Sequence, residues 1–213
     1  LAAGARLTPV SRTTMQADFE RRFGGLRRLY GVTGAQQIFD AHVLVIGIGG
    51  VGSWAAEALA RSGVGRITLV DMDHIAESNV NRQVHALDVT LGQSKVAAMR
   101  ERMLSINPDA QVVVIDDFVA ADNWLQIVDA ATVQCGALSA VIDACDQMAA
   151  KTTVAAWALE RRVPLAVVGA AGGKRHAHRV EVDDLYQCTH DPLLAQLRYR
   201  LRKHHQAARI GRI

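Results

Sequence analysis

The stretch "VLVIGIGGVGSWAAEALARSGVGRITLVD", from Val43 to Asp71, constrains the fold more than any other. A short apolar run stops at Gly47, a Gly-x-Gly-x-x-Gly turn follows, and apolar residues then continue at helical spacing to a second apolar run. A strand that runs into glycines and then into a helix is a βαβ opening. Gly47 allows the tight turn, Gly49 lets a phosphate approach the backbone, and Gly52 lets the helix pack closely. The start of such a helix carries unpaired N–H groups and the positive end of its dipole, which suit an anion. Asp71 follows Gly52 by nineteen residues and ends the second run, where a carboxylate accepts hydrogen bonds from ribose hydroxyls. These features specify an adenosine nucleotide without saying which one.

The alternation continues down the chain. "GSWAAEALARSG" reads as a helix with Trp54, Ala58, Leu59 and Arg61 at helical spacing. "GQSKVAAMRERMLSINP" reads as another, with Val96, Met99, Met103 and Ile106 on one stripe. "AQVVVIDDF", "SAVIDACD" and "VPLAVVGAAGG" read as strands three to five, separated by the helices of "ADNWLQIVDAA" and "KTTVAAWALERR". Repeated βα alternation predicts an α/β, Rossmann-like, doubly wound and mostly parallel sheet with helices on both faces. After Gly173 the pattern changes: "HRVEVDDL" reads as a short strand, and "DPLLAQLRYRLRKHH" as an amphipathic helix with Leu193, Leu194, Leu197 and Leu201 on one side and Arg198, Arg202 and Lys203 outside.

Residues 1–17 show no periodicity and precede or include Met15; they read as a disordered extension, with a transit peptide as the competing reading. Residues 18–213 read as one domain, shortened at its C-terminus. Charge is segregated. Residues 1–28 carry six arginines against two acids, residues 29–160 seven basic against fifteen acidic, and residues 161–213 eleven against four. A solvated basic face explains such flanks, and a polyanion such as RNA becomes attractive only with a second reason. Cys135, Cys145 and Cys188 form no C-x-x-C pair, so the usual two-pair zinc site is excluded. With no secretory signal and no membrane-length apolar run, the expected location is the cytoplasm.

Beyond the glycine turn the chain adds Asp73, Asn79, Arg82 and Gln83, and Lys95 thirteen residues after Arg82. An NAD site needs no such cations, whereas a triphosphate carries extra negative charge that Arg and Lys would meet. The competing reading makes Arg82 and Lys95 ordinary surface charges. The fourth strand ends in "DACD", Asp143 to Asp146, at the strand end where α/β sheets bind ligands. Asp146 is placed to hold Mg²⁺ against phosphates, while Asp143 reads as structural or functional. Cys145 reads as a small buried hydrophobe, with a nucleophile as the minority reading.

The motifs "GIGGVG", "LVDMD", "SNVNRQ", "GQSK" and "DACD" are similar to those of the ubiquitin-activating-like (ThiF/MoeB-type) adenylating superfamily. Three further stretches, "RRFGGLRRLYG", "RQVHAL" and residues 169–203, resemble one branch of it, the tRNA threonylcarbamoyladenosine dehydratases. The resemblance implies ATP and Mg²⁺ as cofactors. Gly47, Gly49, Gly50, Gly52, Asp71, Asp73, Asn79, Arg82, Gln83 and Lys95 would hold the nucleotide, and Asp146 the metal. It implies Asp146, Arg82, Lys95 and an N-terminal arginine as catalytic residues. Gly25 stands where the second arginine of an R-x-x-R pair would be, so Arg28 is the candidate and Arg22 the second. The implied partner is tRNA carrying threonylcarbamoyladenosine at position 37. A homodimer and sulphur-transfer partners of the cysteine-desulfurase type are also implied. The implied reaction is adenylation of the threonine carboxylate followed by ring closure. Three other readings stay open: activation of a small ubiquitin-like carrier protein, an NAD-dependent oxidoreductase, and an inactive ATP-binding remnant.

Overall fold

Strand β1, His42–Ile46, is buried along its whole length and lies at the centre of a five-stranded, all-parallel sheet. The order is β3-β2-β1-β4-β5, with β2 at Arg66–Val70, β3 at Gln111–Ile115, β4 at Ala140–Asp143 and β5 at Leu165–Val167. The computed structural model describes residues 18–210, so the N-terminal extension read from the sequence lies outside the described residues. Central strands covered on both faces must be apolar throughout, which is why "HVLVI" and "ITLV" carry no polar alternation. Register runs from His42 opposite Arg66 to Ile46 opposite Val70, and from Val43 opposite Ala140 to Ile46 opposite Asp143. The chain reverses its direction of travel across the sheet between β1 and β4, which is the topological switch where such folds bind ligands.

Two apolar layers flank the sheet. One joins Val43, Val45, Ile67 and Leu69 to Ala56 and Ala60 of α3 (Gly52–Arg61) and to Val96, Met99 and Met103 of α4 (Lys95–Ile106). The other joins Leu44, Ile46, Val70 and Val141 to Trp124, Ile127 and Ala131 of α5 (Trp124–Cys135) and to Val154 of α6 (Met148–Arg161). The α4 stripe expected from the sequence is therefore the buried one, although Ile106 is only partly covered. On α3 the buried face is Ser53, Ala56, Glu57 and Ala60, and Trp54 and Ala58 point outward. Glu57 stays charged there because Arg102 and Arg61 hydrogen-bond to it and hold its carboxyl below the usual range against the penalty of burial.

Two helices, α1 (Phe19–Phe23) and α2 (Gly25–Phe39), precede the sheet; α2 is kinked at Gly31, whose φ is +73°. They pack through Phe23, Ala35 and Phe39. A Cβ on Gly63, at the end of α3, would sit 2.9 Å from the Phe23 ring, so this glycine is what lets α1 lie against the amino edge of the sheet. At the other end of the chain, "HRVEVDDL" forms no strand: residues 177–179 make a single 3₁₀ turn, and Val180 and Val182 project into solvent. Their alternation has no neighbouring strand to pair with, and a strand without a ladder has nothing to hold it. The basic amphipathic helix is present as α7, Pro192–His204. Asp191 caps it by accepting Leu194 N–H at 3.0 Å, and Leu197 and Leu201 are buried against Ala155 of α6.

Candidate nucleotide site at the carboxyl edge of the sheet

The glycine turn between β1 and α3 sits on the switch point. Gly47 has φ +80°, and a Cβ there would lie 2.8 Å from Cys145 N. A Cβ on Gly52 would lie 1.7 Å from Gly47 O, which no relaxation of a side chain can relieve. Helix α3 starts without a side-chain cap; Ser53 N–H is taken by Gly49 O at 3.1 Å, and an anion would draw on the other N–H groups of the first turn. Asp71 braces the turn from β2: its carboxylate accepts Ile48 N–H at 2.6 Å and Asp73 N–H at 2.8 Å.

Arg82 arches over this turn. A Cβ on Gly50 would be 3.2 Å from both Cγ and Cδ of Arg82, so an absent side chain at Gly50 makes room for the arginine stem. The guanidinium donates to Ser78 O at 2.7 Å and to Asn81 Oδ1 at 3.0 Å, both through one nitrogen, and the side chain is exposed. Asn79 is buried and accepts Ala76 N–H at 3.1 Å, so its carbonyl shapes the turn that carries Arg82. Gln83 is buried with no partner for its side-chain Oε1 among the described residues, and its Nε2 is the group nearest to where a Cβ on Gly49 would lie, at 4.0 Å. Lys95, the first residue of α4, is 6 % exposed and meets Asp73 Oδ2 at 2.7 Å. It is no surface charge. The structure thus brings Gly47, Gly49, Gly50, Gly52, Asp71, Arg82 and Gln83 to one turn, with Asp73 on the adjoining loop and Lys95 beside it at the start of α4.

Asp146 lies just past β4, exposed and in no ion pair among the described residues. Cys145 beside it is partly buried, and burial together with the neighbouring Asp143 carboxylate pushes its thiol up to about 12. That suits the small-hydrophobe reading and not a nucleophile. Among the described residues no three His, Cys, Asp or Glu side chains converge as a metal cage. Mg²⁺ is ordinarily held by one or two carboxylates with substrate phosphates and water, so a single exposed Asp146, next in sequence to the Cys145 amide that abuts Gly47, fits that ion.

The N-terminal arginines are elsewhere. Arg22 donates to Ile106 O at 2.6 Å, at the far end of α4 from Lys95, and Arg28 belongs to α2, which packs at the amino edge. Neither is brought to the glycine turn of the chain that carries it. Arg198 and Arg202 are also engaged within the fold. Arg198 donates to Leu185 O and Cys188 O, and Arg202 donates to Ala208 O and Arg209 O.

Three residues that sequence reasoning passed over also matter. Trp54 Nε1 donates to Arg82 O at 2.9 Å and, with Ser53 Oγ accepting Val84 N–H at 3.3 Å, fixes the Arg82 turn to α3. A tryptophan on the polar side of a helix was the available signal. Lys151 is fully buried beside Asp143. His85 is 1 % exposed and both its ring nitrogens lack partners among the described residues; burial, then Lys95 and Arg102, depress its pKa to about 4. Unfolded, it titrates near 6.5, so between pH 6.5 and 4 the unfolded chain holds a proton that the folded chain lacks. Stability supplied by neutral His85 is therefore complete above pH 6.5 and is lost as pH falls toward 4, on the order of 3 kcal/mol in all. Buried His42 acts with the same sign. Melting followed across this window should show the fall, and His85→Leu should flatten it; an unchanged slope in the variant would refute the assignment.

A parallel α/β sheet with a glycine turn at its switch point, an aspartate at the end of β2 bracing that turn and two cations beyond it is the architecture of a nucleotide-binding α/β fold. The chain belongs to the ThiF family, whose profile matches residues 22–209. It is 46 % identical over 184 residues to the tRNA threonylcarbamoyladenosine dehydratase of Escherichia coli (strain K12), covering 86 % of this chain and 66 % of that protein. The Haemophilus influenzae protein of the same name is 41 % identical over 186 residues, covering 87 % and 69 %. The crystal structure of the E. coli enzyme in complex with ATP superposes with a TM-score of 0.82 at 45 % identity, covering 88 % of this chain and 74 % of that one. The chain thus spans about two thirds of the length of these curated relatives. No helix among the described residues is long and apolar enough to cross a membrane.

Proposed function

We propose that the chain binds ATP·Mg and converts a carboxylate into an acyl-adenylate, and that the carboxylate is the threonine group of N6-threonylcarbamoyladenosine at position 37 of tRNA. The observation that carries the ATP reading is the pair of cations past the glycine turn: Arg82 folded over Gly50 and Lys95 buried beside Asp73. The likeness to dehydratases and to an ATP complex of one of them supports the substrate.

Asp71 would take the ribose hydroxyls, and the α3 N-terminus the phosphate nearest the turn. Arg82 and Lys95 would neutralise the charge on the departing pyrophosphate. Asp146 would hold Mg²⁺, which when bound supplies charge neutralisation at the phosphates. A carboxylate oxygen attacks the α-phosphorus and pyrophosphate leaves. The ureido nitrogen or oxygen of the same modification then attacks the acyl carbon, AMP leaves, the ureido proton is lost, and a five-membered ring closes. The nucleophile is part of the substrate and sits at high effective concentration, so no enzyme thiol is needed. A second copy of the chain, bringing its N-terminal arginine, and a sulphur-transfer partner belong to the same reading, as does the cytoplasm as its location.

The test is mass analysis of tRNA nucleosides after incubation with the chain, ATP and Mg²⁺. One cyclised nucleoside per AMP released supports the reading. AMP release that depends on a carrier protein ending in Gly-Gly and not on tRNA would move it to the carrier-activating class. In a separate titration ATP·Mg should bind at least tenfold more tightly than NAD. Tighter NAD binding would remove the ATP reading.

A further inference from the structure

The end of β4 holds a charged pair that the chemistry above does not use. Asp143 and Lys151 are both fully buried, with Lys151 Nζ 3.2 Å from Asp143 Oδ1. The same ammonium donates to the backbone oxygen of Asp143 at 3.3 Å and to that of Val168 at 3.0 Å. Two of its N–H groups thus have backbone acceptors, and the Asp143 carboxylate lies beside the charge. Asp143 Oδ1 also accepts the Cys145 amide at 3.1 Å.

A buried ion pair is a poor source of stability, because desolvation of both charges offsets their attraction. What this one does is join three pieces of backbone: the last residue of β4, the 144–146 loop, and the residue after β5, whose own N–H donates to Asp143 O at 2.9 Å. That loop is the floor of the glycine turn. Ala144 N donates to Ile46 O at 2.8 Å, and a Cβ on Gly52 would lie 3.3 Å from Ala144 Cβ. Asp146 follows Cys145 directly, so its distance from the turn depends on how the loop is pinned.

We propose that Asp143 and Lys151 are positioning residues whose buried pair holds the 144–146 loop so that the Asp146 carboxylate faces a metal on the phosphates of a bound nucleotide. The inference rests on the ATP·Mg reading of the site. Its test is the affinity for ATP with MgCl₂ and with EDTA, measured by calorimetry, which needs no turnover. The double variant Asp143→Asn/Lys151→Met removes both charges together and leaves no uncompensated ion in the core. It should melt close to the parent and bind ATP in EDTA within about twofold of it, but lose at least tenfold of the gain that Mg²⁺ gives the parent. An undiminished gain, or an equal loss with and without Mg²⁺, would overturn the positioning role. A parent that gains nothing from Mg²⁺ would instead overturn the ATP·Mg reading and the proposal with it. If the double variant fails to fold, Lys151→Arg decides: it keeps the charge but cannot place its donors on the same three oxygens. A Mg²⁺ gain cut at least threefold supports the proposal, and an unchanged one defeats it.

Discussion

Asp146→Ala should lower formation of the cyclised nucleoside by two to three orders of magnitude while leaving the melting curve in place. The reason for the second half is visible: Asp146 is exposed and pairs with no cation among the described residues, so nothing in the fold leans on it. The reason for the first is that charge stabilisation lost at a transferring phosphate costs about 10²–10³ in rate. A single-turnover assay with modified tRNA and ATP·Mg separates the two effects. A variant that turns over at the parent's rate, or one that unfolds, would contradict the role given to this carboxylate.

Gly52→Ala should have a comparable effect at the binding step. The new Cβ would meet the backbone oxygen of Gly47 at 1.7 Å, and Gly47 already holds a φ that other residues avoid. The turn must open or α3 must shift, and overpacking of this kind costs about 1–3 kcal/mol or more. Either movement takes the α3 N-terminus away from the phosphate. ATP affinity should fall at least tenfold, with melting lowered by several degrees. Retention of ATP affinity within twofold would show that the phosphates rest elsewhere.

The nucleotide half was legible because its signals are local. A strand, a glycine turn and a helix lie within Val43 to Asp71, and Gly52 answers a backbone oxygen only five residues away, whereas the neighbours that require Gly47, Gly50 and Gly63 (Cys145, Arg82 and Phe23) lie far along the chain. Four glycines between Gly24 and Gly34 hid α1 and α2, since glycine normally breaks a helix and here only Gly31 bends one. The 180–182 alternation suggested a strand because pattern alone cannot say whether a neighbour exists to pair with it. Lys151 and His85 were invisible for a related reason. A lysine on a helix reads as solvated, and only the adjacency of β4 and β5 places its ammonium among carbonyls. His85 is buried near Lys95 and Arg102 of α4, which its own stretch of sequence does not reveal. Arg198 and Arg202 read as outward-facing from the helical pattern, yet each donates to carbonyls of irregular segments that carry no sequence signature.

The sheet order also sets a timetable for synthesis. Strands β1, β2 and β3 pair with partners close in sequence, so they can assemble once the chain has been made through Ile115. The other side of β1 must wait for β4, whose Ala140 pairs with Val43 across a much longer stretch of chain. Until then a strand that is buried along its whole length in the finished fold is an open edge, with Leu44 and Ile46 facing a layer that has not yet been made. Unpaired edges and exposed apolar surface are the usual origin of misassembly on the ribosome. A chain arrested between β3 and β4 would carry the glycine turn without its floor, and would be expected to recruit chaperones or aggregate before it could hold a nucleotide.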